Sequence, residues 1–182
     1  MEGWGERSLG SIFNELKSAQ IAGFFLSKNN GQMNYMKLIK LMYLSERMSF
    51  ELYGKPMTGD EFYNLPNGQI LSTTLDLIKG TIDGNFFSRF FSKPRGFQIS
   101  ILEDPSISKL SQADFKIIET VYQKYGDFDQ WQLSDICHEL PEWENPGFSR
   151  IPIPYERLMK VLNFTDEEID QSITYIQQWH SV

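Results

Sequence analysis

Residues 34–56 read NYMKLIKLMYLSERMSFELYGKP and carry the strongest structural signal in the sequence. Asn34 is a preferred helix-capping residue, because its side chain can accept a hydrogen bond from a free amide in the first turn. From Tyr35 to Leu44 the side chains are apolar almost all round, interrupted only by Lys37 and Lys40. A helix that is apolar on most faces must be surrounded by protein. We therefore predict a mainly α fold, a single helical domain around this central buried helix.

The same stretch also contains the residues that end the helix. Gly54 readily takes the left-handed conformation found after helices, and Pro56 cannot continue one. Apolar residues at helical spacing predict further helices on both sides. These cover residues 11–28, 69–79, 111–126, 130–140, 155–162 and 165–179. The alternation of apolar and polar side chains near residues 97–102 predicts one small β element.

Composition and charge place the chain among soluble globular proteins. The 182 residues are 41% hydrophobic and 23% charged, which suits one ordinary domain over residues 1–182. The net charge is −7, and no run of lysine and arginine occurs that would displace the counterions of a nucleic acid. We therefore expect no nucleic-acid partner. The charge itself serves solubility or attraction to a basic protein.

The expected location is the cytoplasm, without a membrane. Cys137 is the only cysteine, so no internal disulfide can form and a reducing compartment is favoured. Residues 1–10 lack the basic and apolar regions of a secretory signal. The apolar runs are far shorter than the ~20 residues that cross a bilayer.

The sequence gives little support to an enzyme. Cys137 and His138 lie near Glu139 and Glu142, which raises the question of a metal site. Neighbouring residues on a helix point in different directions, however, and a zinc site needs a second pair of ligands. The other histidine, His180, is close to the end of the chain. We predict that His138 is a structural, hydrogen-bonded residue and that the protein is no enzyme and has no cofactor. A small metal-dependent hydrolase or nuclease using His138 is the alternative.

Four phenylalanines lie in the sequence NFFSRFFS, namely Phe86, Phe87, Phe90 and Phe91. If the segment is helical, they form two stacked pairs four residues apart. One interpretation is that they close the end of the core, because phenylalanine is usually buried. The other is that one pair protrudes and contacts a partner, because aromatic residues are enriched in the hot spots of interfaces.

A resemblance to a known family comes from two motifs. The sequence KLIKLMYLSERMSFELYGKPMTGDEF, residues 37–62, resembles the opening signature of the Panacea domain of SocA-like antitoxins. A second signature of leucine-serine, histidine and tryptophan is matched by Leu133, Ser134, His138 and Trp143. The resemblance covers about residues 12–143 and leaves 144–182 as a helical extension. It departs from the family at residues 65–70, where a turn that usually contains tryptophan keeps only its glycine, Gly68.

The resemblance implies an antitoxin that neutralises a cognate toxin protein by direct binding. The antitoxin would cover the toxin's active site or hold the toxin in an inactive shape; in a variant, it carries the toxin to a protease, and a chaperone could also take part. The toxin's activity and the oligomeric state stay open. A DNA-binding autoregulator is a further alternative, but no basic recognition helix supports it.

The resemblance also assigns two sets of residues. The first set is expected to be structural: Lys37, Leu38, Leu41, Tyr43, Tyr53, Gly54, Pro56, His138 and Trp143. The second set, expected at the surface, is the next candidate for partner contact after the four phenylalanines: Asp60, Glu61 and Phe62.

Overall fold

The computed structural model describes residues 12–181, which are mainly helical with two small antiparallel sheets. The first residue of the predicted first helix, residue 11, lies outside this range. The helices are α1 (Glu15–Lys28), α2 (Tyr35–Tyr53), α3 (Ser72–Lys79), α4 (Phe87–Phe90), α5 (Gln112–Tyr125), α6 (Gln130–His138), α7 (Tyr155–Val161) and α8 (Asp166–Gln177), followed by a 3₁₀ turn at Gln178–Ser181. The strands are β1 (Gln32–Asn34), β2 (Phe62–Leu65), β3 (Gly68–Leu71), β4 (Gln98–Ser100) and β5 (Ile151–Ile153). No helix within residues 12–181 is both long and apolar enough to cross a membrane.

The two ends of α2 are formed by the residues that the sequence indicates. The Asn34 side chain accepts a hydrogen bond from the Met36 amide at 2.9 Å. Gly54 follows the helix with φ of 64°, in the left-handed region. A β-carbon at Gly54 would lie 2.7 Å from Ser172 Oγ on α8. Glycine is therefore needed here for its conformation and for the close approach of α8.

The α2 helix contacts α1, α3, α5, α6 and α7 as well as β1 and β3. Leu38, Leu41, Met42 and Leu44 are buried, as predicted. The helix also buries charged and polar side chains, which the apolar pattern does not explain. These are Lys40, Ser45, Glu46 and Ser49.

The larger sheet has the strand order β3-β2-β5 and is antiparallel throughout. Its hairpin pairs Phe62 with Leu71 and Asn64 with Gln69. The prediction of a helix from residue 69 is wrong for residues 69–71, which belong to β3. All residues of β3 are buried, and a short buried strand cannot be told from a buried helix by periodicity.

The smaller sheet pairs β1 with β4, and Met33 lies opposite Ile99. This is the β element predicted near residues 97–102, and it is confirmed. Residues 146–154, which the sequence shows only as proline-rich, contribute β5 to the larger sheet. In β5 the residue Pro152 lies opposite Tyr63, and an edge strand is the place where a sheet accepts proline.

Candidate functional site

A buried polar cluster lies between α2, the β2–β3 hairpin and the segment that follows α6. We call it the signature cluster. It comprises Lys40, Tyr43, Arg47, Asn64, Gln69, Cys137 and Glu142. The three residues from α2 share one face of that helix, because residues three and four apart are neighbours. Six of the seven residues are buried, and only the Arg47 side chain retains 16% exposure.

Glu142 holds two residues of α2. Its Oε1 atom accepts a hydrogen bond from the Tyr43 hydroxyl at 2.8 Å and one from Arg47 Nε at 2.7 Å. Its backbone carbonyl accepts from Asn64 Nδ2 at 3.2 Å. A carboxylate with 0% exposure is tolerated only when it is paired and hydrogen-bonded. Glu142 therefore connects the segment after α6 to the centre of α2 and to β2 by hydrogen bonds.

Lys40 is 2% exposed and donates from Nζ to the backbone carbonyl of Gln69 at 2.8 Å. Burial lowers the pKa of Lys40 from 10.5 to about 8, because the charged form loses its hydration. Burial also raises the pKa of the neighbouring Cys137 thiol to about 11. Cys137 is thus a neutral thiol at neutral pH, whereas nucleophilic cysteines are thiolates.

Gly68 allows these groups to approach one another. A β-carbon at this position would lie 2.9 Å from Cys137 Cβ and 3.1 Å from Lys40 Nζ. The φ angle of Gly68 is 100°, which also favours glycine. Close packing thus explains why a glycine is needed at this position. Gly68 is also the residue that the turn at residues 65–70 shares with the family pattern.

Several polar atoms of this region make no hydrogen bond within the described residues. They are Asn64 Oδ1, Gln69 Oε1, Gln69 Nε2 and Trp143 Nε1. Asn64 and Gln69 are cross-strand partners, so their side chains lie on the same face of the hairpin.

His138 lies at the edge of the signature cluster and is half-buried. Its Nε2 is 2.9 Å from the Pro66 carbonyl, so this nitrogen carries the proton and donates it. The imidazole also packs against the Trp143 ring, with centroids 4.5 Å apart. The predicted hydrogen bond of His138 is therefore present. No group of three or more residues able to hold a metal occurs in the part of the chain that the structure describes.

A second buried group binds the loop after α2. Glu46 accepts from the amides of Met57 and Thr58 at 2.6 and 2.9 Å, and also from the Thr58 hydroxyl. Asp60 accepts from the amides of Thr73 and Thr74 at 2.9 and 2.8 Å, and so caps the start of α3 from a distance. Burial raises the pKa of both carboxyls, although these hydrogen bonds act in the opposite direction.

The expectation that residues 60–62 lie at the surface is wrong for two of the three. Asp60 is buried because the start of α3 supplies its hydrogen bonds. Phe62 is buried because its ring packs edge-on against Tyr43 and Phe50, with centroids 5.6 and 6.0 Å apart. Only Glu61 is exposed.

Of the two interpretations of NFFSRFFS, the protruding pair is wrong, and the packing of the rings into the core is confirmed. Phe87, Phe90 and Phe91 are buried, and the half-buried Phe86 packs against the same core. The segment is fixed by Glu15, whose carboxylate accepts from the amides of Phe86 and Phe87 at 2.7 and 3.1 Å. A carboxylate at the start of a helix satisfies its free amides. The four rings close one end of the core.

Residues 38–144 match the sequence model of the family described as antitoxin SocA-like, Panacea domain. The chain belongs to this family. No curated protein and no solved structure gives a significant match to the chain. The matched segment of the Panacea domain contains every residue of the signature cluster and both buried carboxylates of the second group.

The residues expected to be structural in the Panacea domain differ in burial. Leu38, Leu41, Tyr43, Gly54 and Pro56 are buried, while His138 and Trp143 are half-buried and in contact. Lys37 is half-buried and donates to the Gly126 carbonyl at 2.5 Å. Tyr53 is the exception, because its side chain is exposed.

Sequence reasoning missed Arg47, Asn64 and Gln69 as members of one cluster. The available signal was the presence of Lys40 on an otherwise apolar helix face. A lysine there must find an acceptor inside the protein. The identity of that acceptor depends on the hairpin, which the sequence does not reveal.

The exposed apolar side chains of the described residues lie elsewhere. They are Leu52, Tyr53, Ile82, Phe97, Leu102, Ile107, Trp131, Phe148 and Tyr175. Single exposed apolar residues are normal on protein surfaces. Phe148 differs from the others, because its relative exposure is 112%.

Proposed function

We propose that this Panacea-domain protein is an antitoxin that neutralises a toxin protein by binding it directly. The observation that carries the proposal is the family match over residues 38–144. The structure supports it because most residues of the family signature are buried or half-buried and form a framework around α2. Such a framework can hold a surface rigidly, and a rigid surface binds with a smaller loss of conformational entropy.

We further propose that the protein acts without catalysis. The most reactive side chains of the signature cluster are inaccessible. Lys40 is engaged by the Gln69 carbonyl, and Cys137 is a buried thiol. The His138 ring is held by the Pro66 carbonyl and Trp143 rather than directed at other acid–base groups. A hydrolase or nuclease using His138 is therefore the weaker candidate.

The proposed architecture is one domain over residues 1–182, with α2 as its organising helix. The apolar faces of α2 are covered by other elements, so this helix is not free to enter a DNA groove. The net charge of −7 favours a toxin with a basic surface, because opposite charges increase the rate of encounter. The proposed location is the cytoplasm, where a lone buried cysteine is maintained as a thiol.

Co-expression tests the proposal. Reading frames adjacent to the gene for this chain are expressed one at a time, with and without the chain. We expect one product to arrest growth alone and to be tolerated when the chain is present. The two purified proteins should then form a complex in size-exclusion chromatography. If no adjacent product is toxic, or if rescue occurs without a complex, the proposed function is wrong.

The fate of the toxin separates the two mechanisms. When expression is stopped, a toxin that is neutralised by occlusion keeps its half-life in the presence of the chain. A toxin delivered to a protease has a shorter half-life in the presence of the chain, and deletion of that protease restores toxicity. Pulse-chase immunoblotting measures both half-lives.

A further inference from the structure

Phe148 lies at the tip of a tight turn and is fully in solvent, with a relative exposure of 112%. The turn is closed by the Ser149 amide and hydroxyl, which both donate to the Pro146 carbonyl, at 3.1 and 3.2 Å. The Gly147 amide donates to Asn145 Oδ1 at 2.9 Å, and Gly147 has φ of 61°. The turn therefore has its own hydrogen bonds and directs an aromatic ring away from the fold. We call residues 145–149 the anchor turn.

The base of the anchor turn is joined to the signature cluster. Pro146 is buried, and three residues before the turn Glu142 is held by Tyr43 and Arg47. Arg157 adds further hydrogen bonds, because its guanidinium donates to the Glu144 carboxylate at 3.0 Å and to the Glu142 carbonyl at 3.3 Å. The position of the turn is thus fixed from the core.

The Phe148 ring points into solvent and contributes nothing to the packing of the described residues. Aromatic residues, phenylalanine among them, are enriched in interfaces, and hot-spot side chains lie in well-packed pockets. A ring on a preorganised turn loses little freedom on binding. Polar and charged neighbours, among them Glu144 and Arg150, would form the rim that surrounds such an anchor. Arg150 is itself placed by stacking over the Tyr63 ring, 4.3 Å from its centroid.

We propose that Phe148 is the anchor residue of the antitoxin interface and inserts into an apolar pocket on the toxin, about one aromatic ring wide. This inference rests on the proposed function. Phe148 lies beyond residues 38–144, the segment that matches the family. The matched segment would thus supply the framework, and the adjoining turn would supply the contact with this particular toxin.

The experiment compares Phe148→Ser with a matched control, Leu102→Ser. Leu102 is 66% exposed and follows β4 of the other sheet. The probe is the purified toxic protein from the co-expression test, and Kd is measured by isothermal titration calorimetry. We expect Phe148→Ser to weaken binding about 30-fold or more, the scale of a hot-spot residue, and to lose growth rescue. Leu102→Ser should bind like the wild type.

Three further measurements show whether the effect is specific to the Phe148 ring. Phe148→Ser should unfold in urea like the wild type, because no core contact is removed. Phe148→Trp should retain most of the affinity, because an aromatic anchor is kept. Asn145→Ala should weaken binding less than Phe148→Ser, because it loosens the turn and keeps the ring.

The outcomes that overturn the inference are distinct. If the wild type neutralises the toxin and Phe148→Ser does so equally well, the antitoxin function stands and the anchor inference is wrong. If Phe148→Ser converts a dimer into a monomer in sedimentation and leaves toxin binding intact, the ring contacts a second copy and the inference is also wrong. If no toxin is neutralised, the proposed function fails and the inference fails with it.

Discussion

The signature cluster and the anchor turn are joined through Glu142, yet they differ in burial, in polarity and in their position relative to the family segment. The signature cluster is buried, contains charged groups and lies inside the segment that matches the family. The anchor turn is exposed, presents one apolar ring and lies outside that segment. Under the proposed function, the recognisable motifs of this chain build its framework. Partner contact is expected from residues that no motif marks.

The comparison leads to opposite expectations for mutations. A change in the signature cluster should lower stability, because it leaves buried polar groups without partners. A change in the anchor turn should lower affinity and leave stability unchanged.

Glu142→Ala should cause the largest loss of stability. It leaves the Tyr43 hydroxyl and the Arg47 guanidinium without their acceptor in a buried place. Removing one partner of a buried ion pair costs about 3–5 kcal/mol of unfolding free energy, which urea denaturation measures. Glu144→Ala is the matched control, because the Glu144 side chain is 53% exposed and an exposed pair contributes about 1 kcal/mol or less. Similar losses in the two variants would contradict the account.

Leu41→Ala tests the packing around α2. Truncating this buried leucine should cost about 2–5 kcal/mol through lost transfer energy and the cavity that remains. Leu52→Ala, on the exposed side of the same helix, should change the unfolding free energy by about 0.5 kcal/mol or less. A loss of less than about 1 kcal/mol for Leu41→Ala would mean that α2 is not the organising helix.

His138→Ala separates the structural role of the histidine from a metal-binding role. The variant loses the hydrogen bond to the Pro66 carbonyl and the packing against Trp143. We expect a loss of about 1–2 kcal/mol with no change in metal content by mass spectrometry. Stoichiometric zinc or manganese that is present in the wild type and absent from the variant would support the enzyme alternative instead.

Lys40 should produce a rise in stability above pH 8. Its pKa is about 8 in the folded protein, whereas the ordinary value for a lysine is 10.5. Below pH 8 Lys40 is protonated in both the folded and the unfolded protein. The folded protein then carries the whole free-energy cost of burying the charge. Above pH 8 the folded protein releases the proton first, and the unfolding free energy rises with pH.

The pH window for this test is pH 8 to 9. Cys137, with its pKa raised from 9.0 to about 11, acts in the opposite direction above pH 9. From pH 8 to 9 the gain due to Lys40 should be about 1 kcal/mol, measured by urea denaturation. Lys40→Met should not show this gain. An equal rise in the variant, or no rise in the wild type, would contradict the buried position of the lysine.

Local sequence signals predicted the parts of the fold that depend on neighbouring residues. The bounds of α2 follow from Asn34, Gly54 and an all-round apolar pattern, and each of these acts within one or two helical turns. The β2–β3 hairpin was missed because the buried strand β3 does not alternate between apolar and polar side chains. Its burial depends on α2 and α6, which lie far away along the chain.

The partner-contact predictions failed for a related reason. Acidic residues are usually exposed, but Asp60 is buried because the first amides of α3 approach it. The phenylalanines of NFFSRFFS pack into the core, and Glu15, 71 residues before Phe86, fixes the start of the segment. Phe148 follows an Asn-Pro-Gly turn signal that is visible in the sequence. Whether a ring next to a turn faces the core or solvent depends on the packing of the whole fold.

The most direct test of the central claim is hydrogen–deuterium exchange of the wild-type protein with and without the toxin. The account predicts that the amides of residues 145–150 exchange more slowly in the complex. Those of residues 86–91, which hold the buried phenylalanines, should keep their rates. Slower exchange at residues 86–91, with no change in the anchor turn, would contradict the account.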